Sequence, residues 1–450
     1  MRLDQRVDAA DLASLAGFDP DDMVADLDQI VTSPVTLRDL YYRWERTNWS
    51  VHTLDFERDV TDWQALGTDV QERLLWVLSM FFHGEECVAQ TLAPWVASAP
   101  TEEMQLFLST QLADEARHAI FFDRFYEEVV GASGTLRDRL DWCRPRVSTG
   151  FEKLFYDMLP AVAAEVRDNP RDPVVFARGV ALYHILLEGA LAVPGQKFIL
   201  AFCRDRDILP AYRSGFTAVA RDESRHVGAG VRILQELVAM DRDAVPAVQE
   251  LIREALPFAT QQFQPPGGDF TYLTVLGYST YELFSFGLHS LEKRLRAANI
   301  PLPRTGPIRL PEVDGEPILP DRPLTAVQEM MQPMRDQITP ALIFQGLPMA
   351  FNAQAAKGVD AHYRFDVTGE GGGTWTIHIA DGTCEVTQGT PPVEPDWRLE
   401  LSAETWTAMA VGDILGQEAF LLGRVTIEGD PLAGLRFDRF FTPDAGAPAA

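Results

Sequence analysis

The chain has 450 residues, room for two or three domains at roughly 150 residues each, and its 46% hydrophobic and 23% charged residues are those of an ordinary globular protein. The charge is the outlier: 66 acidic against 39 basic residues leave a net charge of -27. A surface of that sign repels nucleic-acid phosphates and anionic headgroups, which excludes DNA, RNA and electrostatic docking on membranes as expected partners.

In chain order, residues 1–35 read as an acidic extension, with DPDDMVADLD from Asp19 to Asp28 and no apolar secretory segment. From Thr36 to Asn299 apolar residues recur at threes and fours, the pattern of long helices. The longest apolar stretch, Gly179 to Gly195, carries His184 and Glu188 and falls short of the roughly 20 residues a membrane-spanning helix needs, so no integral membrane segment is expected. Cys87, Cys143, Cys203 and Cys384 show no C-x-x-C spacing; they argue against a disulfide framework or a thiolate zinc site and fit a reducing cytoplasm. Residues 300–323 hold Pro301, Pro303, Pro307, Pro311, Pro317, Pro320 and Pro323, a density that suits an extended tether.

Residues 324–445 then read as a small α+β domain. A helical stretch to about Asn352 precedes segments of period two, with Tyr363, Phe365 and Val367 on one face and Trp375, Ile377 and Ile379 on the next. The GEGGG from Gly369 to Gly373 lies between two alternating segments, which marks a hairpin loop and not a phosphate cradle. Trp397, Leu399 and Leu401 form another strand, Ser402 a helix N-cap, and Val425 and Ile427 a late strand.

The chemistry lies in a near-repeat, Asp114-Glu115-Ala116-Arg117-His118 and Asp222-Glu223-Ser224-Arg225-His226. Glu and His three apart share a helix face, so each copy can present a carboxylate and an imidazole together. Met104, Leu108, Gln111, Glu115, His118, Phe122 and Phe125 follow one spacing, placing the first pair on a buried seam. A buried carboxylate is costly unless compensated, and a metal ion compensates it. Glu85 lies on the stripe Leu75, Leu78, Phe82, Ala89, Leu92, whereas Glu86 falls on a polar face; Glu188 sits in an almost wholly apolar segment. Glu85, Glu115, His118, Glu188, Glu223 and His226 thus give one carboxylate from each of two helices and a Glu-x-x-His from each of two more, the ligand count of a dinuclear carboxylate site in a ferritin-like bundle. Oxygen donors with two imidazoles suit iron and manganese. Asp114, Asp222, Arg117 and Arg225 are candidates to orient the imidazoles, with solvated salt bridges the other reading.

Five segments carry a resemblance: NWSVHTLDFERDVTDW (Asn48 to Trp63), FFHGEECVAQTLAP (Phe81 to Pro94), LADEARHAIFF (Leu112 to Phe122), LYHILLEGALAVPG (Leu182 to Gly195) and ILPAYRSGFTAVARDESRH (Ile208 to His226). They resemble the ribonucleotide-reductase-small-subunit-like ligand-binding oxidases over Thr36 to Asn299. The resemblance implies a ferritin-like fold, ligands at the six positions above, a Mn/Fe or Fe/Fe pair with dioxygen as co-substrate, a fatty-acid-like ligand and a homodimer. It also implies an oxidatively formed ether link between Val88 and Tyr183. Val88 shares a face with Glu85, but on an ideal helix Tyr183 points about 140° away from Glu188, so its inward pointing rests on the resemblance. Reductase small subunits usually carry a radical tyrosine where this chain has Phe122.

The segment Asp396 to Phe441, with the strands before it, resembles the sterol-carrier-protein-type lipid-binding domain, which implies an apolar interior that Met330, Met331, Met334 and Met349 line or fill. Together these readings imply an oxygen-dependent oxidase or monooxygenase acting on a hydrophobic substrate. Three others stay open: a reductase-type radical protein, a metal-storage protein, and a lipid-binding protein with a vestigial bundle. The electron donor is not legible.

Overall fold

The computed structural model describes residues 11–324 and 326–441. The first ten residues of the expected extension and the last of the expected C-terminal domain lie outside the described residues. The chain divides into two compact units, one holding residues up to Pro266 with Tyr272–Ser279 and His289–Leu302, the other holding Gly267–Thr271, Thr280–Leu288 and Pro303 onward.

The first unit is helical. Its elements that matter here are α1 (Pro20–Thr32), α2 (Leu37–Thr47), α3 (Thr68–Thr91), α4 (Glu102–Phe125), α5 (Pro173–Asp205) and α6 (Pro210–Met240). Local chemistry starts them where the sequence suggests. Asp19 caps α1 and Thr36 forms a capping box with Asp39 on α2; Thr101 accepts from Met104 N on α4, whose first turn is acidic. Helix α6 begins less ordinarily. Leu209 takes a left-handed φ of 52°, and the buried Asp59 accepts from Ala211 N and Tyr212 N at 3.0 and 2.7 Å, a cap supplied from 150 residues away in the chain. Burial pushes the Asp59 carboxyl up to about 6 against the pull of those two donors.

Helix α6 is the axis of the unit and is buried on all sides from Ala211 to Val231. Close approach is built into it: a Cβ at Gly230 would lie 2.3 Å from His184 Cβ, so only glycine lets α5 and α6 pack at that point. Three expectations change here. The acidic extension is part of the unit, because Met23, Leu27, Ile30 and Val31 make α1 amphipathic and it packs on α6. Helix α5 runs on past Gly195 to Asp205 and is by length and composition able to cross a membrane, but 83% of its apolar window is buried inside the protein, as in a core helix. Its middle, Ala181–Ala192, is π-helical.

The second unit is a six-stranded sheet in the order β1-β6-β5-β2-β3-β4, formed by Thr305–Ile308, Ala361–Thr368, Gly373–Ala380, Thr383–Gln388, Trp397–Ser402 and Val425–Gly429. β2 and β5 are parallel and the other pairs antiparallel. Its helices include α7 (Pro340–Gly346), α8 (Ala403–Ala410) and α9 (Pro431–Arg439). The period-two reading holds: Tyr363, Phe365, Val367, Trp375, Ile377, Ile379, Leu399 and Leu401 are buried, Ser402 caps α8, and the GEGGG is the β2–β3 hairpin. Phe344, Phe365, Trp375, Trp406 and Phe437 interlock in the interior, with ring centroids 4.5 Å apart for Phe344 and Trp375 and 5.1 Å for Phe365 and Phe437.

The expected tether is not free chain throughout. Thr305–Ile308 pairs antiparallel with β6 at the sheet edge, and Ile308 and Leu310 are buried. Prolines suit an edge strand as well as a tether. The methionines also differ from expectation. Met334 and Met349 are exposed, Met349 by 83%, so they neither line nor fill the interior; Met331 is half-buried, and the Met330 side chain lies outside the described residues.

Candidate metal centre

Helices α3, α4, α5 and α6 bring Glu85, Glu115, His118, Glu188, Glu223 and His226 together, all six buried. Their potential ligand atoms form two groups, Glu85, Glu115, His118, Glu223 and Glu115, Glu188, Glu223, His226, each with its atoms within 4.8 Å of one another. Both groups contain Glu115 and Glu223. Glu86 lies off this cluster and pairs with Arg137 at 3.2 Å.

The two imidazoles are held alike. His118 Nε2 lies 3.3 Å from Asp222 Oδ2, and His226 Nε2 lies 3.1 Å from Asp114 Oδ2, so the aspartate of each repeat receives the histidine of the other. With Nε2–H donating outward, each Nδ1 turns a lone pair toward the carboxylates. His118 Nδ1 faces Glu85 Oε2 at 3.2 Å and Glu223 Oε1 at 3.3 Å; His226 Nδ1 faces Glu115 Oε1 at 3.1 Å, Glu223 Oε2 at 3.5 Å and Glu188 Oε1 at 3.6 Å. Among the described residues, His226 Nδ1, Glu188 Oε2 and Glu223 Oε2 have no hydrogen-bond partner. Buried acceptors that face one another without donors call for a cation, and the oxygen-rich donor set with two imidazoles fits a pair of first-row divalent ions.

The proton equilibria follow from the same crowding of buried carboxylates. Burial opposes charging either imidazole, yet the surrounding carboxylates outweigh it and lift His118 and His226 well above the ordinary histidine range. Burial pushes Glu85 up to about 8 and raises Glu188 well above its usual value, the charge of Glu223 adding to the latter. For Glu115 and Glu223 burial is overcome by the two imidazoles, and both are held low. The two acids common to both groups are therefore the ones whose carboxylates the imidazoles favour most.

Asp114 and Asp222 are fixed in turn. Buried Arg225 reaches Asp222 Oδ1 at 2.5 Å and Asp114 Oδ2 at 3.2 Å, and Arg117 reaches Asp114 Oδ1 at 2.9 Å and Asp222 Oδ2 at 3.2 Å. Two indoles complete the shell, Trp44 Nε1 donating to Asp114 at 2.9 Å and Trp49 Nε1 to Asp222 at 2.8 Å. Neither tryptophan's place is legible in the sequence.

Tyr183 corrects the helical-wheel estimate. Because Ala181–Ala192 is π-helical, with i→i+5 bonding, residues five apart return to one face, and Tyr183 points inward beside Glu188. Its hydroxyl donates to Glu115 Oε1 at 2.8 Å and accepts from Gln111 Nε2 at 2.9 Å; the same amide lies 3.2 Å from Glu188 Oε1. His184 Nε2 holds Gln111 Oε1 at 3.0 Å. Gln111 and His184 are polar residues on apolar stripes, the pattern that marks inward polar groups in this sequence. Val88 is buried one turn beyond Glu85. Phe122 is fully buried against Phe81, Phe82 and Phe216, an aromatic wall where a reductase would carry its tyrosine.

A four-helix core with interior carboxylates and imidazoles defines the ferritin-like class. Residues 35–261 match the family model for the ribonucleotide reductase small chain, half of the sequence, and the chain belongs to that family. Residues 345–442 match the SCP-2 sterol transfer family. Among solved structures the chain is similar to the R2-like ligand-binding oxidase from Sulfolobus acidocaldarius, with 24% identity over 59% of this chain and 90% of that one and a TM-score of 0.50. It is also similar to a point variant of an R2-like ligand-binding oxidase with aerobically reconstituted Mn/Fe cofactor (21% identity, 59% and 93% covered, TM-score 0.50). A third is an R2-like ligand-binding oxidase with aerobically reconstituted metal cofactor after photoconversion (20% identity, 59% and 93% covered, TM-score 0.51). At these identities the likeness establishes the fold.

Proposed function

We propose that the helical unit holds two metal ions, manganese with iron or two irons, and uses them with dioxygen to oxidise a hydrophobic, fatty-acid-like or lipid substrate. The carrying observation is the overlap of two four-residue groups on Glu115 and Glu223; each group would offer an ion a glutamate and an imidazole of its own beside the two common carboxylates. When bound, the metal pair supplies the reduction of dioxygen and the oxidising power for a C–H bond. In this reading Glu85 and His118 hold one position and Glu188 and His226 the other. Asp114 and Asp222, steadied by Arg117 and Arg225, keep each imidazole in the tautomer that presents Nδ1. The Phe81, Phe82, Phe122 and Phe216 wall keeps water from the cluster. The match of residues 345–442 to a sterol transfer family supports a hydrophobic ligand.

An ether between Val88 and Tyr183 belongs to the same proposal. It would remove the Cβ hydrogen of Val88 and the hydroxyl hydrogen of Tyr183, form one C–O bond, and pass two electrons and two protons to dioxygen. The inward Tyr183 hydroxyl supports it, with Glu115 placed to receive the proton. Homodimerisation is expected on the family likeness. The test is aerobic loading with manganese and iron followed by metal analysis and peptide mass spectrometry. The expected result is two ions per chain and a joined Val88–Tyr183 peptide lighter by two hydrogens. A chain that binds no iron or manganese overturns the oxidase reading; a loaded, oxygen-consuming chain without the joined peptide removes only the cross-link.

A radical-storing role is favoured by one observation, the buried Tyr212 whose hydroxyl has no hydrogen-bond partner among the described residues. A stable tyrosyl resonance after loading that vanishes in Tyr212→Phe would select it over the oxidase.

A further inference from the structure

On the outer face of the second unit's sheet, strand register lines up four groups able to bind a cation. His362 on β2 stands directly opposite His378 on β3, and His378 stands opposite Glu385 on β4. Directly opposed residues in an antiparallel pair hold their Cβ atoms about 5 Å apart. The two imidazoles lie face to face, with centroids 4.0 Å apart and planes 13° from parallel. Asp360, just before β2, brings Oδ1 to 3.0 Å from His378 Nε2. One potential ligand atom from each of Asp360, His362 and His378 lies within 4.8 Å of the others. Asp396, on the far side of His362, is occupied: its Oδ2 accepts the His362 backbone N–H at 2.9 Å, and Arg304 approaches Oδ1 at 3.9 Å.

We propose that Asp360, His362 and His378 form a binding site for a divalent zinc-class ion, separate from the bundle cluster and of different chemistry. Two imidazole nitrogens and one carboxylate oxygen make a borderline donor set, suited to Zn²⁺, Cu²⁺ or Ni²⁺ and poorly to Mg²⁺ or Ca²⁺. Three protein ligands leave a fourth position for water, with Glu385 on the same face to accept a hydrogen bond from it. Both histidines are half-buried on adjacent strands, so β2 and β3 hold the two side chains together; binding requires the stacked rings to turn so that their lone pairs converge, and Asp360, which is 79% exposed, to be ordered. The carboxylates of Asp360 and Glu385 also put negative charge beside the pair of imidazoles, which favours a dication there. The bound ion would tie the two arms of the β2–β3 hairpin together.

The experiment uses the full chain, stripped with a chelator and titrated with Zn²⁺ alone against a chromophoric competitor, beside the His362→Gln/His378→Gln double variant and Asp360→Asn. The wild type is expected to bind one more zinc per chain than the double variant, and Asp360→Asn to hold that zinc about tenfold more weakly. Cu²⁺ in the wild type should show electron-spin coupling to two imidazole nitrogens that the double variant lacks. Zinc should raise the melting temperature of the second unit's transition only in the wild type. Because the comparison is a difference, it reads the same whether or not the bundle takes up metal, and circular dichroism checks that the surface variants are folded. Equal zinc stoichiometry and identical Cu²⁺ spectra in wild type and double variant would overturn the site.

Discussion

The two units bury polar groups in opposite ways. In the helical unit the interior of α4, α5 and α6 is rich in acids, imidazoles and guanidinium groups that satisfy one another around a deficit of positive charge. In the sheet unit the interior is a set of interlocked aromatic rings, and the polar ladders lie on the outer face. A core that carries ionisable groups costs stability, so it is retained where chemistry needs it; a core of aromatic rings serves packing. The contrast agrees with the proposal that places the reaction in the first unit.

Substitutions at five residues test that contrast, in falling order of effect. Glu223→Ala removes a carboxylate common to both ligand groups and is expected to take the helical unit from two bound ions to none, whereas Glu85→Ala should retain about one; metal analysis of the purified chains reads both. Phe437→Ala opens the aromatic interior of the sheet unit and should cost about 3–5 kcal/mol of that unit's stability, measured by urea unfolding, with the bundle's metal content unchanged. Metal loss in Phe437→Ala would break the assignment of chemistry to one unit.

Asp59→Ala strips the cap from Ala211 N and Tyr212 N and is expected to cost about 2–3 kcal/mol. Its pH signature has a definite sign. Burial raises the folded-state value to about 6 from an ordinary 3.8, so the folded state binds the proton more tightly. The contribution is fully present below about 4 and is lost as pH rises through about 6, and Asp59→Asn should flatten that part of the stability profile. Smallest is Trp49→Phe, which deletes one hydrogen bond to an aspartate still held by Arg117 and Arg225; about 1 kcal/mol is expected by thermal unfolding, with both ions retained.

The ligand cluster was legible because a carboxylate on an apolar stripe contradicts the hydrophobic pattern, and that contradiction is local. The same rule would have found Gln111 and His184, which sit on such stripes and position Tyr183. The inward direction of Tyr183 follows from the resemblance and not from a period of 3.6 residues per turn, because nothing in ALYHILLEGALA announces its i→i+5 bonding. Trp44 and Trp49 were out of reach because their partners, Asp114 and Asp222, lie 70 and 173 residues away.

By itself the sequence determined the two architectures, the inward acids and histidines and the alternation of the strands, since each follows from residue type and period within one segment. Only the tertiary structure decided which aspartate holds which imidazole, that the acidic N-terminal helix belongs to the bundle, that the proline-rich stretch supplies an edge strand, and that His362 faces His378. Each of these depends on the meeting of segments distant in the chain, and the free energy of such a meeting is written in neither segment alone.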